Sequence, residues 1–214
     1  MLLRTETYEQ VELRFPEDIA LHTMRVLHDD GLYRHVRFKD PDCSMYWFDL
    51  ITWPGHLTIS GDMGTLTFAR DRDMFPFFNH SSISPDYWAE KLTSSRDEVK
   101  QYSRGTFLKL VKERIEDVQG DYPLVNLSWR FDIELQGGWT VDEEGAAREL
   151  MRHIDDGLKR PVFDVAWEWD LREFTYRYLW NCYAIQWGVK RYYEERTEPR
   201  RSWWRRLRLR KRAV

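Results

Sequence analysis

Hydrophobic and polar residues alternate most regularly between residues 44 and 70, where we predict three short antiparallel strands. Residues 45–53 have apolar side chains on both faces, which favours a strand at the centre of a sheet. The segment Pro54-Gly55 and the segment of residues 61–64 (Gly-Asp-Met-Gly) are turn signals between the strands. The residues predicted to point inward from the second and third strands are Leu57, Ile59, Leu66 and Phe68.

Three elements are predicted before this meander. The alternation of Val11, Leu13 and Phe15 with charged residues predicts a strand over residues 7–15. Pro16 suits the first turn of a helix, and a stripe of apolar residues predicts that this helix continues to Gly31. Residues 33–39 alternate again and predict a strand that leads into the meander.

Helical patterns dominate the rest of the chain. We predict short helices over residues 71–79 and 84–92, the second with Ser84 as its N-cap. Apolar residues at helical spacing predict a further helix over residues 106–118. Residues 171–195 carry a broad apolar stripe, so we predict that they form the longest helix.

Two more strands are predicted in the second half of the chain. Residues 125–136 alternate strictly between apolar and polar side chains, which is typical of a strand with one buried face. Residues 163–169 show the same alternation. Between these segments, Thr140 and Glu143 form a capping-box pattern for a helix that ends near residue 156.

Together these elements predict an α+β fold, with a mainly antiparallel sheet of about six or seven strands packed against helices. The length of 214 residues is typical of one domain with a substantial core. We therefore predict a single α+β domain over residues 1–198, ending in the long C-terminal helix. Residues 199–214 are expected to form a separate basic tail rich in Trp and Arg.

Composition adds three expectations. Eleven residues each of Trp, Tyr and Phe predict an aromatic core, in which indole N–H and phenol O–H groups need polar partners. Only Cys43 and Cys182 are present, and we expect a reduced pair because the sequence shows no signal peptide. We also find no apolar run long enough to cross a membrane.

The charge is divided unevenly. The whole chain carries −3 and residues 199–214 carry +8, so residues 1–198 carry −11. Arginine interleaved with Trp can hold nucleic-acid phosphates and stack on bases, or lie on an anionic membrane surface. The alternatives are a solvated end or docking against an acidic body of the same or a neighbouring molecule. The candidate binding residues are Arg200, Arg201, Trp203, Trp204, Arg205, Arg206, Arg208 and Arg210.

Candidate catalytic chemistry is limited to His56 and Asp62, which flank a predicted strand. They could form an acid–base or metal site, although Asp62 in a turn and His56 at a strand start are also ordinary turn chemistry. We find no metal-ligand spacing, nucleophile motif or phosphate-binding loop, so we expect no cofactor. Cys182 is predicted to be a small core residue.

Three segments resemble a family of roughly 200-residue proteins encoded by bacteriophages and prophages. They are WPGHLTISGDMGTLTFAR (residues 53–70), DMFPFF (73–78) and PDYWAEKL (85–92), with a looser match over 180–193. The resemblance implies a phage-type accessory protein in the bacterial cytoplasm, and it carries over no catalytic residue.

The leading hypothesis is therefore a non-enzymatic protein that binds a host macromolecule, such as a component of a bacterial defence system, and inhibits it. One alternative is a nucleic-acid-binding protein that uses the basic tail. A second is an enzyme built around the turns at His56 and Asp62. The sequence leaves the oligomeric state open, including a homo-oligomer.

Overall fold

The computed structural model describes residues 6–94 and 96–197, which divide into two compact units. The sheet unit comprises residues 6–99 and 176–197, and the helical unit comprises residues 100–175. The sequence predicted a single domain over residues 1–198 and did not anticipate this division. The α+β fold class is confirmed.

The described residues form seven helices longer than one turn and seven strands. The helices are α1 (Glu6–Asp18), α2 (Met74–Phe78), α3 (Pro85–Ala89), α4 (Arg104–Val118), α5 (Leu127–Gln136), α6 (Glu144–Leu158) and α7 (Tyr176–Thr197). The strands are β1 (Thr23–Asp30), β2 (Tyr33–Lys39), β3 (Phe48–Trp53), β4 (His56–Gly61), β5 (Gly64–Ala69), β6 (Lys100–Tyr102) and β7 (Arg172–Phe174).

The sheet unit contains a five-stranded antiparallel sheet in the order β1-β2-β3-β4-β5. The predicted meander is confirmed as β3, β4 and β5, and the predicted strand over residues 33–39 is confirmed as β2. Leu50 pairs with Ile59, which pairs with Leu66, so their side chains share the buried inner face. Because side chains alternate along a strand, the intervening residues form the opposite, outer face.

Helix α7 packs on the inner face of the sheet. The α7 residues Trp180, Ile185 and Val189 are fully buried. A Cβ atom added at Gly188 would lie 2.9 Å from Cδ1 of Leu50, so the helix backbone lies directly on the strands. This close approach forms the centre of the core of the sheet unit.

A half-buried ion pair connects the sheet to α2. Arg34 of β2 donates two hydrogen bonds to Asp73, at 2.7 and 2.9 Å, and its guanidinium lies over the ring of Phe75. Asp73 also caps α2 by accepting a hydrogen bond from the backbone N–H of Phe75. The hydrogen bonds from Arg34 keep the pKa of Asp73 below its usual value.

The helical unit has its own core, formed by one face each of α4, α5 and α6. Its two-stranded sheet pairs β6 with β7. The hydroxyl of Tyr102 in β6 donates a hydrogen bond of 2.7 Å to the carbonyl oxygen of Val141, which leads towards α6. The core residues are Phe107, Val111, Ile115, Val118, Leu127, Phe131, Val141, Ala147, Leu150, Met151, Ile154, Val162, Phe163, Ala166 and Leu171.

The predicted strand over residues 7–15 is wrong, because these residues lie in α1. Val11 and Phe15 are buried and four residues apart, which is one helical turn, whereas Leu13 between them is 75% exposed. The predicted helix over residues 16–31 is also wrong. Pro16 lies near the end of α1, and most of the segment that follows forms β1, which pairs with β2.

The predicted strand over residues 125–136 is wrong as well, because most of it forms α5. Asn126 is the N-cap and accepts a hydrogen bond from the backbone N–H of Trp129. Leu127 and Phe131 face the core, while Trp129 is 61% exposed. Alternating apolar residues were thus read as a strand although only every fourth residue is buried.

Residues 163–169 form no strand but a loop with a short 3-10 helix at Ala166–Glu168. Helix α6 begins at Glu144 with Glu143 as its N-cap, and Glu143 makes no side-chain capping bond, so the predicted capping box is wrong. Helix α7 begins at Tyr176 rather than residue 171, because the preceding residues form β7.

The three remaining predicted helices are present, but their first or last residues differ from those predicted. Residues 106–118 lie in α4, which begins slightly earlier, and residues 71–79 contain the shorter α2. Residues 84–92 contain α3, which ends at Ala89. Ser84 precedes α3 as predicted but makes no side-chain capping bond.

Replacement of Gly188 by Ala tests the packing of α7. Alanine is the better helix former, but its Cβ would overlap Leu50 and the Phe38 ring, so we expect a loss of about 1–2 kcal/mol of unfolding free energy. Urea denaturation measures this change. Gly145→Ala in α6 is the matched control: nothing lies near the added methyl group, and stability should stay equal or rise. A stabilised Gly188→Ala variant would contradict the close packing of α7 on Leu50 and Phe38.

Candidate functional site

The outer face of the five-stranded sheet is the candidate site in the sheet unit. Its side chains alternate with the buried ones, and nearly all remain half-buried or exposed. Their hydrogen bonds run from strand to strand, as between the hydroxyls of Thr58 and Thr67 at 2.8 Å. On β1, β2 and β3 the outer residues are Thr23, Arg25, His28, Asp30, Tyr33, His35, Arg37, Lys39, Asp49, Ile51 and Trp53.

Asp49 is the charged centre of this face. Its side chain is only 8% exposed, and both carboxylate oxygens accept hydrogen bonds from Arg37, at 2.8 and 2.7 Å. His35 Nε2 lies 2.9 Å from the same carboxylate. Burial alone would raise the pKa of Asp49, but the hydrogen bonds from Arg37 and His35 outweigh it, so the pKa lies below its usual value. Asp49 is thus a buried, ionised carboxylate.

The cations of this face are unevenly paired. The Arg37 guanidinium is fixed by Asp49 and lies 5.3 Å from the ring centroid of Trp47. Arg25 of β1 stands directly opposite Arg37, and its side chain forms neither a hydrogen bond nor an ion pair with any other described residue. The ammonium group of Lys39, at the end of β2, is likewise exposed and unpaired within the described residues. The face therefore offers two uncommitted positive charges.

His28 and His35 form the neighbouring cross-strand pair on β1 and β2. Asp30 is the only acidic residue on the outer face of β1 and β2. It pairs with Tyr33 at the end of the two strands that is next to their connecting turn. The positive charges therefore lie towards the opposite ends of these strands, around Arg25 and Lys39. This arrangement favours contact with an anionic surface.

The structure places His56 and Asp62 apart. They flank opposite ends of β4, which at the usual rise per strand residue separates them by about 20 Å. The His56 ring stacks on Trp53 at 5.0 Å, and its Nδ1 lies 3.2 Å from the carbonyl oxygen of Pro54. Asp62 accepts a hydrogen bond of 2.9 Å from the backbone N–H of Tyr46. Both residues stabilise turns, and the structure does not bring them together.

The two cysteines are free thiols. Cys182 is fully buried in α7, which confirms the prediction of a core residue. Burial raises the pKa of its thiol, so it stays protonated and is a poor nucleophile. Cys43 is half-buried in the loop before β3.

The remaining sequence-based candidates lie outside the described residues. They are Arg200, Arg201, Trp203, Trp204, Arg205, Arg206, Arg208 and Arg210. Among the residues that are described, no group of three or more His, Cys, Asp or Glu side chains is arranged to hold a metal ion. No helix in the described ranges is long and apolar enough to span a membrane.

Sequence reasoning missed the cluster of Arg25, His35, Arg37 and Asp49. The alternation within residues 33–39 indicated that His35 and Arg37 face away from the core. Arg25 was missed because β1 was predicted to be helical. Asp49 could not be matched with Arg37 without the strand register, which fixes this pairing.

Comparison with known proteins yields no relative. No family model matches the chain, and no curated protein or solved structure is significantly similar to it.

Replacement of Asp49 by Asn tests the charged centre. Because the pKa of Asp49 is lowered in the folded protein, its contribution to stability is present above the unfolded pKa of about 3.9 and is lost as the pH falls through the folded pKa. We expect Asp49→Asn to lose about 2–4 kcal/mol of unfolding free energy at neutral pH and less at acidic pH.

Urea denaturation of the wild type and the variant across this pH range measures the difference. Asp42→Asn is the control, because the exposed Asp42 carboxylate accepts no hydrogen bond from a described residue. A difference between wild type and Asp49→Asn that does not change with pH would contradict the ionised state of Asp49.

Proposed function

We propose that the protein is a non-enzymatic binding protein that uses the outer face of its five-stranded sheet to hold an acidic surface of a host protein. The observation that carries this proposal is the position of Arg25. Its guanidinium, which has no partner among the described residues, belongs to the residue directly across from Arg37, and the carboxylate of Asp49 is already engaged with Arg37.

Like charges directly opposite each other on neighbouring strands are unfavourable in the free protein. A carboxylate-bearing surface placed over Arg25 and Lys39 would remove this repulsion and add charge complementarity. Such complementarity mainly raises the association rate and selects the partner. The fixed geometry of Arg37, Asp49 and Trp47 supports this role, because a rigid surface loses little conformational entropy on binding.

The resemblance of residues 53–70, 73–78 and 85–92, and more loosely of 180–193, to phage and prophage proteins supports a biological setting for this binding. We propose a phage-type accessory protein that acts in the cytoplasm of a bacterial host. The partner would be a component of a bacterial defence system, inhibited by stoichiometric binding. This part of the proposal rests on the resemblance and on no structural relative.

A second candidate function is nucleic-acid binding through residues 199–214. The observation that favours it is the presence of eight basic residues, two Trp residues and no acidic residue in this segment. Phosphate contacts made by such a segment release counterions, so binding would weaken steeply with salt.

A pulldown from bacterial lysate with charge-reversed variants tests the first function. With nuclease present, we expect the wild type to retain one protein in stoichiometric amount, and Arg25→Glu with Lys39→Glu to weaken its affinity about tenfold or more. Lys190→Glu, on an exposed position of α7, is the matched control and should bind like the wild type. Equal binding by all three proteins, or turnover of the partner, would contradict the proposal.

Truncation after residue 198 separates the two functions. If the partner is a protein held by the sheet, the shortened chain binds it like the full chain in the presence of nuclease. If residues 199–214 bind nucleic acid, an electrophoretic mobility shift is lost on truncation and weakens as salt increases. Nucleic-acid binding that survives truncation and is lost in Arg25→Glu would instead assign nucleic acid to the sheet.

A further inference from the structure

The helical unit contains an open cleft of about 450 Å³ beside α6. This volume lies in the range of small-molecule sites, about 300–1,000 Å³. Met151 of α6 and Phe163 of the following loop line it with buried apolar surface. Arg152 and Trp167 line the same cleft with exposed side chains.

The loop that carries Trp167 is fixed by side chains from two helices. Asp155 of α6 accepts hydrogen bonds from the backbone N–H groups of Val162 and Phe163, at 3.0 and 3.1 Å. Arg114 of α4 donates to the carbonyl oxygen of Val162 at 2.8 Å and to Asp164 at 3.1 Å. In the first half of the loop, side chains therefore bind both the backbone N–H groups and a backbone carbonyl oxygen.

Arg148 holds the second half of the loop. It donates to the carbonyl oxygens of Ala166, at 2.9 Å, and Trp169, at 3.1 Å, and also pairs with Glu144. Between these anchor points, the Trp167 side chain is 76% exposed. An anchored loop thus presents an indole ring to solvent at the edge of a cleft. A surface organised in this way before binding loses little entropy when a ligand arrives.

The charged side chains that line the cleft differ in whether they are already hydrogen-bonded within the protein. Arg148, Asp155 and Asp164 are already hydrogen-bonded to the loop or, for Asp164, to Arg114. Arg152 forms no hydrogen bond or ion pair with any other described residue, and it is an exposed residue that lines the cleft. The groups left for a ligand are one indole face, one guanidinium and an apolar floor. Together they suit a flat ring with an anionic group attached.

We propose that this cleft binds a small aromatic anion, of the class that nucleoside monophosphates represent. The ring stacks on Trp167 above the apolar floor, and the anionic group pairs with Arg152. This site is independent of the outer face of the sheet, since all its residues belong to the helical unit.

Isothermal titration calorimetry of the full-length protein tests the proposal with AMP, UMP, indole-3-acetate and inorganic phosphate as ligands. We expect saturable binding of at least one aromatic anion at a single site and much weaker binding of phosphate. Trp167→Ala should weaken the affinity about tenfold through lost stacking, and Arg152→Ala should weaken it by a similar factor. Trp167→Phe, which keeps a ring, should retain most of the affinity.

Two controls keep the test specific. Trp129→Ala removes another exposed Trp of the helical unit that does not line the cleft, and should bind like the wild type. Arg25→Glu should also bind like the wild type, so loss of partner binding by the sheet and loss of ligand binding by the cleft are distinguishable. Trp167 and Arg152 are both exposed, so the variants are expected to fold, and matching thermal melting curves check this.

Three results would overturn the proposal. The first is the lack of saturable binding by all three aromatic anions at roughly millimolar concentration. The second is an affinity that is unchanged in both Trp167→Ala and Arg152→Ala, which would assign the binding to another part of the chain. The third is phosphate binding as tight as that of AMP, which would show that the ring contributes nothing.

Discussion

The close packing of α7 on the strands determines how the sheet unit is organised. Gly188 lets the helix backbone approach Leu50 and Phe38 at a distance that any side chain at this position would prevent. The helix thereby covers the apolar inner face, where Trp180 is fully buried and donates its indole N–H to Asp18 at 3.0 Å. Most polar residues of the strands, together with Tyr33 and Trp53, consequently lie on the outer face, whereas Phe38, Phe48 and Phe68 are buried beneath the helix.

The arginines of the sheet differ in whether they form an ion pair with another described residue. Arg34 and Arg37 do so, and Arg25 does not. Arg34 points inward and Arg37 outward, and each is bound bidentately by one aspartate, Asp73 or Asp49. Removing a charge from water is costly unless it is paired and hydrogen-bonded, and each pair is held by two hydrogen bonds, although the buried Nε of Arg34 has no partner among the described residues. Arg25 has no such partner within the described chain although it faces Arg37. The charge of Arg25 is therefore not part of the ion pairing that stabilises the sheet, and the proposed binding role rests on this difference.

The sequence predicts the secondary structure well where turn residues bound an alternating apolar and polar pattern. It predicts the secondary structure poorly where such a pattern has no turn residues beside it. Strands β3 to β5 were predictable because each turn confirmed the pattern on either side. Helices α1 and α5 were not predictable in this way. An apolar residue at every second position also places one at every fourth position, which is about one helical turn. Val11 and Phe15 therefore fit the pattern of a strand and that of a helix. Candidate sites depend on register even more strongly. His56 and Asp62 are close in sequence yet separated by the length of β4, whereas Arg25 and Asp49 are distant in sequence and lie on one face.

The loop after α6 shows why side-chain anchoring cannot be read from periodicity. Alternation predicted a strand over residues 163–169, in which Trp167 would point to the same side as Phe163. In the structure, the loop backbone satisfies its polar groups through Asp155, Arg114 and Arg148 instead of through a neighbouring strand. Buried polar groups must be paired, and here side chains from α4 and α6 pair them. The exposure of Trp167 is thus a consequence of an ordered backbone, and the proposed stacking of a ligand on its ring depends on this order.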